Sequence, residues 1–267
     1  MSIAVRNDKN LVTEHFDRLS SAGDWSRLYA VTNGFTYQFH IRRMRVLELL
    51  PDHLGRVVDI GCGPGVMVEQ VLRRGGTFEG VDLSLEMVQE ATRMFGHLDH
   101  VSFKRGNIEA LDLPSMAYDQ VICMAVLEYL KTPDRALAEI ARILRPGGQV
   151  VITVPKRIHI DQFTVTATMP LRALGRVLKL GKADRMARLC LQPTELDAAA
   201  RQAGLLPDGR SQYYFTLLPY PLTRMAPAFC MRFNIRLEAW HRTQAALPSF
   251  FAHGYVGRYR KEQGLVG

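Results

Sequence analysis

The stretch Val57-Val58-Asp59-Ile60-Gly61-Cys62-Gly63-Pro64-Gly65 constrains this chain more than any other. An apolar run with the character of a buried strand carries an acid and then meets three glycines at alternate positions. A helical pattern follows from Val66 to Arg74. A strand that runs through a glycine loop into a helix is a nucleotide cradle. Glycines turn sharply and let a ligand approach the backbone without Cβ atoms in the way. The spacing is D-x-G-x-G-x-G, so the dinucleotide fingerprint G-x-G-x-x-G and the Lys-Ser/Thr of a P-loop are both missing. Asp59 would repel a phosphate and suits a ligand carrying an ammonium group. For the nonapeptide alone, an ordinary glycine turn of an α/β protein is the plain alternative.

From this point strand and helix patterns alternate. Strands are expected at 56–60, 78–83, 101–104, 118–124 and 149–154. Helices are expected at 65–74, at 84–95 behind a Ser84 cap, and from Pro133 to Leu144. Such alternation gives a doubly wound, mostly parallel sheet of the α/β class. After Pro155 the rhythm breaks. An insertion at 156–193 precedes a helix at 194–202, a strand at 212–217, a helical region at 219–247 broken near Pro227, and a last strand at 251–261. Before the first strand, His15, Phe16 and Leu19 give one apolar helical face, and Trp25, Leu28, Tyr29 and Thr32 give another. Arg42, Arg43 and Arg45 interleave with Met44, Val46, Leu49 and Leu50 in a helix closed by Pro51. The expected organisation is a helical cover at 1–55, a ligand-binding core at 56–155, and further strands of the same sheet with helical cap insertions at 156–267.

Composition narrows the function. Cys62, Cys123, Cys190 and Cys230 are scattered without a C-x-x-C pair, which argues against a zinc site or a disulfide scaffold, and the eight histidines show no metal-ligand spacing. No metal is expected. The polar start, Met1 to Asn10, lacks an apolar signal core, and no run of about twenty apolar residues exists. The expected location is cytoplasmic. Residues 1–155 hold 17 Lys/Arg and 19 Asp/Glu, whereas residues 156–267 hold 17 and 7. The net charge of +8 therefore lies wholly in the C-terminal part. That excess serves solubility or an anionic substrate, lipid surface or nucleic acid.

Asp82 ends the second strand, where an acid of a doubly wound fold can accept both hydroxyls of a ribose. Asn107, after the third strand, can bond an adenine edge or simply make a turn. Leu83, Met87 and Ile108 can sandwich a base or serve as core.

In that order and spacing, VVDIGCGPG, GVDLS, GNIEALDLP, YDQVICMAVLEYL and LRPGG make residues 56–155 resemble the class I S-adenosylmethionine-dependent methyltransferases. The resemblance is to the small-molecule branch that includes the ubiquinone and menaquinone methyltransferases. It implies a Rossmann-like, seven-stranded fold and S-adenosyl-L-methionine as cofactor. It implies that Gly61, Cys62, Gly63 and Gly65 pass under the methionine part and that Asp59 orients its amino group. Asp82 would hold the ribose, Leu83, Met87 and Ile108 the base, and Asn107, where the family usually has Asp, the adenine amino group. Met124, which would also touch the cofactor, begins the reaction-centre segment Met124 to Leu130. Many relatives carry His at the position of Tyr129, and that His is their usual candidate base. Here Tyr129 can bond a substrate oxygen or pack on a ring. His159, after strand five, is a further candidate. Trp25 to Tyr29 is similar to the W-x-x-x-Y segment that some porphyrin and quinone methyltransferases fold over the cofactor, so Tyr29 joins the candidates.

Two helical stretches after strand five suggest the acceptor. Leu171, Leu174, Val177 and Leu178 form one apolar face opposite Arg172, Arg176 and Lys179. Met225, Phe229, Phe233, Leu237 and Trp240 form a second, flanked by Arg224, Arg232 and Arg236. Either can lie on the sheet as scaffold. As a roof over the pocket, with Phe229, Phe233 and Arg236 touching substrate, they imply a small apolar or aromatic acceptor carrying an acidic group, methylated on O or C. A basic amphipathic helix can also rest weakly on an anionic membrane. Other readings are an RNA- or protein-directed methyltransferase, a non-catalytic cofactor binder and a dinucleotide oxidoreductase. No nucleic-acid module is present, and the oxidoreductase fingerprint is absent.

Overall fold

Strands whose side chains are apolar on both sides can settle only in the middle of a layered structure. A computed structural model describes residues 12–17, 34–157, 188–215, 227–243 and 251–263. A helical segment at 12–17 and helix α1 (Gly34–Leu49) precede β1 (Arg56–Ile60). Next come α2 (Val68–Arg73), β2 (Thr77–Asp82), α3 (Leu85–Phe95), β3 (Val101–Arg105) and β4 (Tyr118–Met124). A 3-10 turn (Leu127–Tyr129), α4 (Asp134–Ile143) and β5 (Leu144–Pro155) follow. The chain then forms α5 (Pro193–Gln202), β6 (Leu205–Phe215), α6 (Pro227–Thr243) and β7 (Ala252–Lys261). The strands make one seven-stranded sheet in the order β3-β2-β1-β4-β5-β7-β6. The first five are parallel, and β7 runs antiparallel to both β5 and β6.

The period of two along each strand divides the core into two layers. Val58, Ile60, Val121, Cys123, Val150 and Ile152 point into one layer, which α4 closes with Leu137 and Ile140 and α5 with Leu196. Val57, Ile122 and Val151 point into the other, which α1 closes with Tyr37, Ile41 and Val46 and α2 with Val68 and Val71. Each such Val, Leu or Ile stabilises the fold by about 1.5–3 kcal/mol relative to exposure. Helix ends are satisfied locally. Ser84 Oγ accepts the Met87 N–H at 3.2 Å, as the cap position predicts. Arg74 Nη1 donates to the carbonyls of Leu47, Leu50 and Pro51 at 3.0, 3.2 and 3.3 Å, which closes the end of α1.

Several expectations shift. β5 starts at Leu144 and absorbs the Arg-Pro-Gly-Gly turn. β6 starts at Leu205 rather than Gln212. Within the longer β6 there is a bulge: Pro207 faces Tyr259 and Gly209 faces Arg258, which leaves Asp208 unopposed. Its carboxylate then accepts from Gln149 and Arg260 at 3.0 and 2.9 Å. Pro227 stands at the first position of α6, which needs no N–H, and the part of the expected helical region before it lies outside the described residues. Of the three interleaved arginines, Arg45 is buried, and its guanidinium lies 2.8 Å from Glu238 of α6 and 2.7 Å from Glu48. The helix expected around 169–180 lies outside the described residues, as do Trp25, Tyr29 and His159.

Candidate active site

The site lies at the carboxyl ends of the parallel strands, where the order reverses between β1 and β4. The loop after β1 is shaped by glycines in the left-handed region: Gly61 at φ 72°, Gly63 at 52° and Gly65 at 82°. A Cβ on Gly61 would lie 2.2 Å from Val126 Cγ2. Gly61 N–H donates to the Val81 carbonyl at 2.7 Å, which ties the loop to β2. Asp82 completes the cradle, with its carboxylate accepting the Gly63 and Ser84 N–H groups at 2.9 Å each. Burial pushes its carboxyl upward, while the N–H bonds from Ser84 and Gly63 pull it back. Ser84 Oγ also bonds Asp17, which pins the helical segment at 12–17 beside the loop.

A cavity of about 380 Å³ opens over this loop, within the size range of small-molecule sites. One end is lined by Gly61, Cys62, Gly63, Asp82, Leu83 and Met87, with Asn107 and Ile108 above them. The other end is lined by Met124, Ala125, Val126, Glu128 and Tyr129, and by Phe16, Phe39 and Arg42. The cavity thus gathers nine of the eleven residues expected to hold the cofactor. Asp59 and Gly65 are not on its surface. A Cβ on Gly65 would meet the Phe95 ring at 3.0 Å, so this glycine packs the loop against α3. Asn107 lines the cavity, but its Oδ1 already accepts the Glu109 N–H at 3.1 Å. Phe229, Phe233 and Arg236 do not line the cavity either. α6 turns Cys230, Asn234, Leu237 and Glu238 inward and leaves Phe229 exposed.

Asp59 is 1% exposed, and neither carboxylate oxygen has a hydrogen-bond partner among the described residues. Burial, and then the charge of Asp82, raises its carboxyl well above the usual range. The folded state therefore holds a proton that an unfolded chain releases. Stability of the ligand-free protein should fall as pH rises from about 4, the unfolded carboxyl value. Asp59→Asn should raise the melting temperature at pH 7 by about 2 °C or more. The gap to wild type should close below pH 4. Equal melting curves at pH 7 would count against a buried acid without compensation.

The loop after β4 is held under strain. Ala125 sits at φ 61°, which costs a non-glycine residue about 1–2 kcal/mol. Thr153 Oγ1 secures it by accepting the Ala125 N–H at 2.8 Å. The turn then presents Glu128 and Tyr129. Burial, followed by the Glu128 charge, pushes the Tyr129 phenol upward, so it keeps its proton. Its ring meets Phe16 edge-on at 5.2 Å, and the Arg188 guanidinium lies 5.7 Å from its centre. Glu128 is 2% exposed and 3.5 Å from Arg188. Sequence reasoning missed Glu128, Arg42 and Phe39 as site residues. Glu128 adjoins Tyr129 and was legible from the loop. Arg42 and Phe39 arrive from α1, which sequence order does not connect to β4.

The donor set fits S-adenosylmethionine. A Cβ would fill the glycine cradle, Asp82 at the end of β2 would be the residue to hold a ribose, and Asp59 is a buried carboxyl without a partner among the described residues, which a neighbouring ammonium group would ionise. Residues 58–152 match the family model described as a methyltransferase domain. The fold is the Rossmann-like fold seen in S-adenosylmethionine-dependent methyltransferases, and the match to the methyltransferase domain lies within its first five strands. Over 153 residues, 57% of this chain, it is 30% identical to the ubiquinone biosynthesis O-methyltransferase of Alkalilimnicola ehrlichii. The chain spans 60%, 63% and 64% of the length of three such curated relatives. It also resembles a chain of the complex between the Haloferax volcanii Trm112 methyltransferase activator and a methyltransferase. That likeness has TM-score 0.64 at 21% identity, covering 92% of this chain and 97% of that one. An S-adenosylmethionine-dependent methyltransferase from Thermotoga maritima matches with TM-score 0.59 at 18% identity, over 94% and 99% of the two chains. No helix among the described residues is long and apolar enough to cross a membrane.

Proposed function

We propose that this protein transfers the methyl group of S-adenosylmethionine to a small apolar or aromatic acceptor, on O or C, by in-line displacement. The observation that carries this reading is a single cavity running from Asp82 and the glycine loop to Tyr129 and Phe39. When bound, the cofactor supplies a methyl group already activated on a sulfonium. The protein's part is then placement. Asp82 would hold the ribose, and Asp59 would balance the amino group from beneath the loop. Phe16, Phe39 and Tyr129 would form the acceptor's apolar walls. Tyr129 would donate to an acceptor oxygen. Arg42 and Arg188 add positive charge at this end, which suits an acceptor with a carboxylate or phosphate.

Calorimetry with S-adenosylmethionine and its demethylated product tests the first half. Tighter, competitive binding of NAD would overturn it. The second half needs a panel of phenols and enols with and without an acidic group. Methylation of small polar acceptors alone would refute the apolar pocket. Tyr129→Phe should lower turnover about three- to tenfold, the worth of one hydrogen bond, and leave cofactor affinity unchanged. A loss of cofactor binding in that variant would contradict the assigned role.

A further inference from the structure

Helix α6 carries three of the exposed large apolar side chains of the described residues. Phe229 is 63% exposed, Trp240 46% and Ile235 40%. Their position on the helix is not random. The inward arc is Cys230, Asn234, Leu237 and Glu238. The solvent-facing arc is Ala228, Phe229, Arg232, Ile235, Arg236, Ala239 and Trp240, with half-buried Phe233 stacked beside Phe229 at 6.5 Å between ring centres. An ordinary surface helix faces water with mixed charges and amides. This arc has two arginines, three aromatic rings, one isoleucine and two alanines, without an acid or amide. The one acid of the helix, Glu238, is turned inward and paired with Arg45.

We propose that the outward face of α6 docks on an anionic lipid surface. Aromatic rings and isoleucine favour the interfacial layer of a bilayer, and the guanidiniums meet anionic headgroups. Charge complementarity selects this occupant. A second copy of the face would bring four arginines together with no acid on the face to balance them. A nucleic-acid backbone would satisfy the arginines and leave Ile235 and both alanines in water. The placement also has a use. α6 packs on α1, and α1 supplies Phe39 and Arg42 to the cavity wall. A membrane-docked α6 therefore sets the cavity close to a source of apolar molecules. The docking itself does not depend on the proposed reaction.

The test is sedimentation of the full chain with vesicles of phosphatidylglycerol or of phosphatidylcholine at low salt. The protein should partition onto phosphatidylglycerol and only weakly onto phosphatidylcholine. Phe229→Ser combined with Trp240→Ser should lower partitioning at least about tenfold. Arg232→Gln with Arg236→Gln should lower it about fivefold per arginine and remove the preference for the anionic lipid. Both arginines are exposed, so this second pair reports even if the serine pair perturbs folding. Absence of wild-type binding to phosphatidylglycerol vesicles overturns the proposal. So does binding that survives the arginine pair unchanged. A dimer in sedimentation equilibrium that the same substitutions dissolve would assign the face to a second copy instead.

Discussion

Glu238→Ala should destabilise the protein by about 3 kcal/mol, because it strips a buried guanidinium of its interior counter-ion. Arg45 is 4% exposed and Glu238 2%. Burial works against the charge on Arg45, yet Glu48 and Glu238 together hold its pKa above the ordinary value. After the substitution Glu48 remains at 2.7 Å, with its side chain 38% exposed. That partner keeps the cost at the lower end of the 3–5 kcal/mol typical of a broken buried pair. For a chain of this size the melting temperature should drop by about 6–12 °C. Pairing Arg45→Leu with Glu238→Leu should recover most of the loss, since well-packed apolar residues commonly replace a buried pair at little cost. The comparison is a double-mutant cycle by thermal melting. A single-variant loss below about 1 kcal/mol would show that water reaches the pair. The expected readout also includes the cavity, because α1 carries Arg45 on one face and Phe39 and Arg42 towards the site.

Asp82→Ala should weaken cofactor binding at least tenfold, which is about 1.4 kcal/mol. Two bonds from ribose hydroxyls to a carboxylate would each contribute about 1.5–3 kcal/mol, so even partial compensation by water leaves a tenfold loss. The variant also leaves the Gly63 and Ser84 N–H groups without their acceptor, and these shape the loop. Asp82→Asn separates the two effects. Its amide oxygen can still accept one of those N–H groups while the charge is gone. Calorimetry with the demethylated cofactor should rank wild type, Asn and Ala in falling order. Unchanged affinity in the Ala variant would remove Asp82 from the binding site.

Local signals in the sequence pointed to most of the residues that line the glycine-loop end of the cavity. The strand, glycine and acid pattern of residues 57–65 and the acid at 82 depend on neighbours in the chain, so spacing alone brought them together. The five parallel strands were legible for the same reason, as apolar runs separated by capped helices. The failures share a different cause. Asp208 becomes a bulge only because β7 offers it Arg258 and Arg260, and nothing near Pro207 announces that. Nothing in its own helix sets Arg45 apart from its neighbouring arginines, and its buried partner lies 193 positions away. The stripe Phe229–Phe233–Trp240 has helical period, but period does not say which face meets the sheet. The inward face turned out to be Cys230, Asn234, Leu237 and Glu238, chosen by the Glu238–Arg45 pair over the larger aromatic residues.

The strand order carries a consequence for synthesis. β7 lies between β5 and β6, and β6 pairs with β7 alone. As the chain leaves the ribosome, β1 to β5 can assemble in sequence, each beside a strand already made. β6 emerges with nowhere to pair, and its ladder stays open until residues 252–261 follow. Those same residues bring Tyr255 and Tyr259 into the core, where the Tyr259 hydroxyl donates to Asp197 at 2.7 Å. Both exposed strand edges, on β5 and on β6, are sealed in one late event. A nascent chain stalled after β6 would present the open edge of β5 and a wholly unpaired β6 to chaperones and to its neighbours.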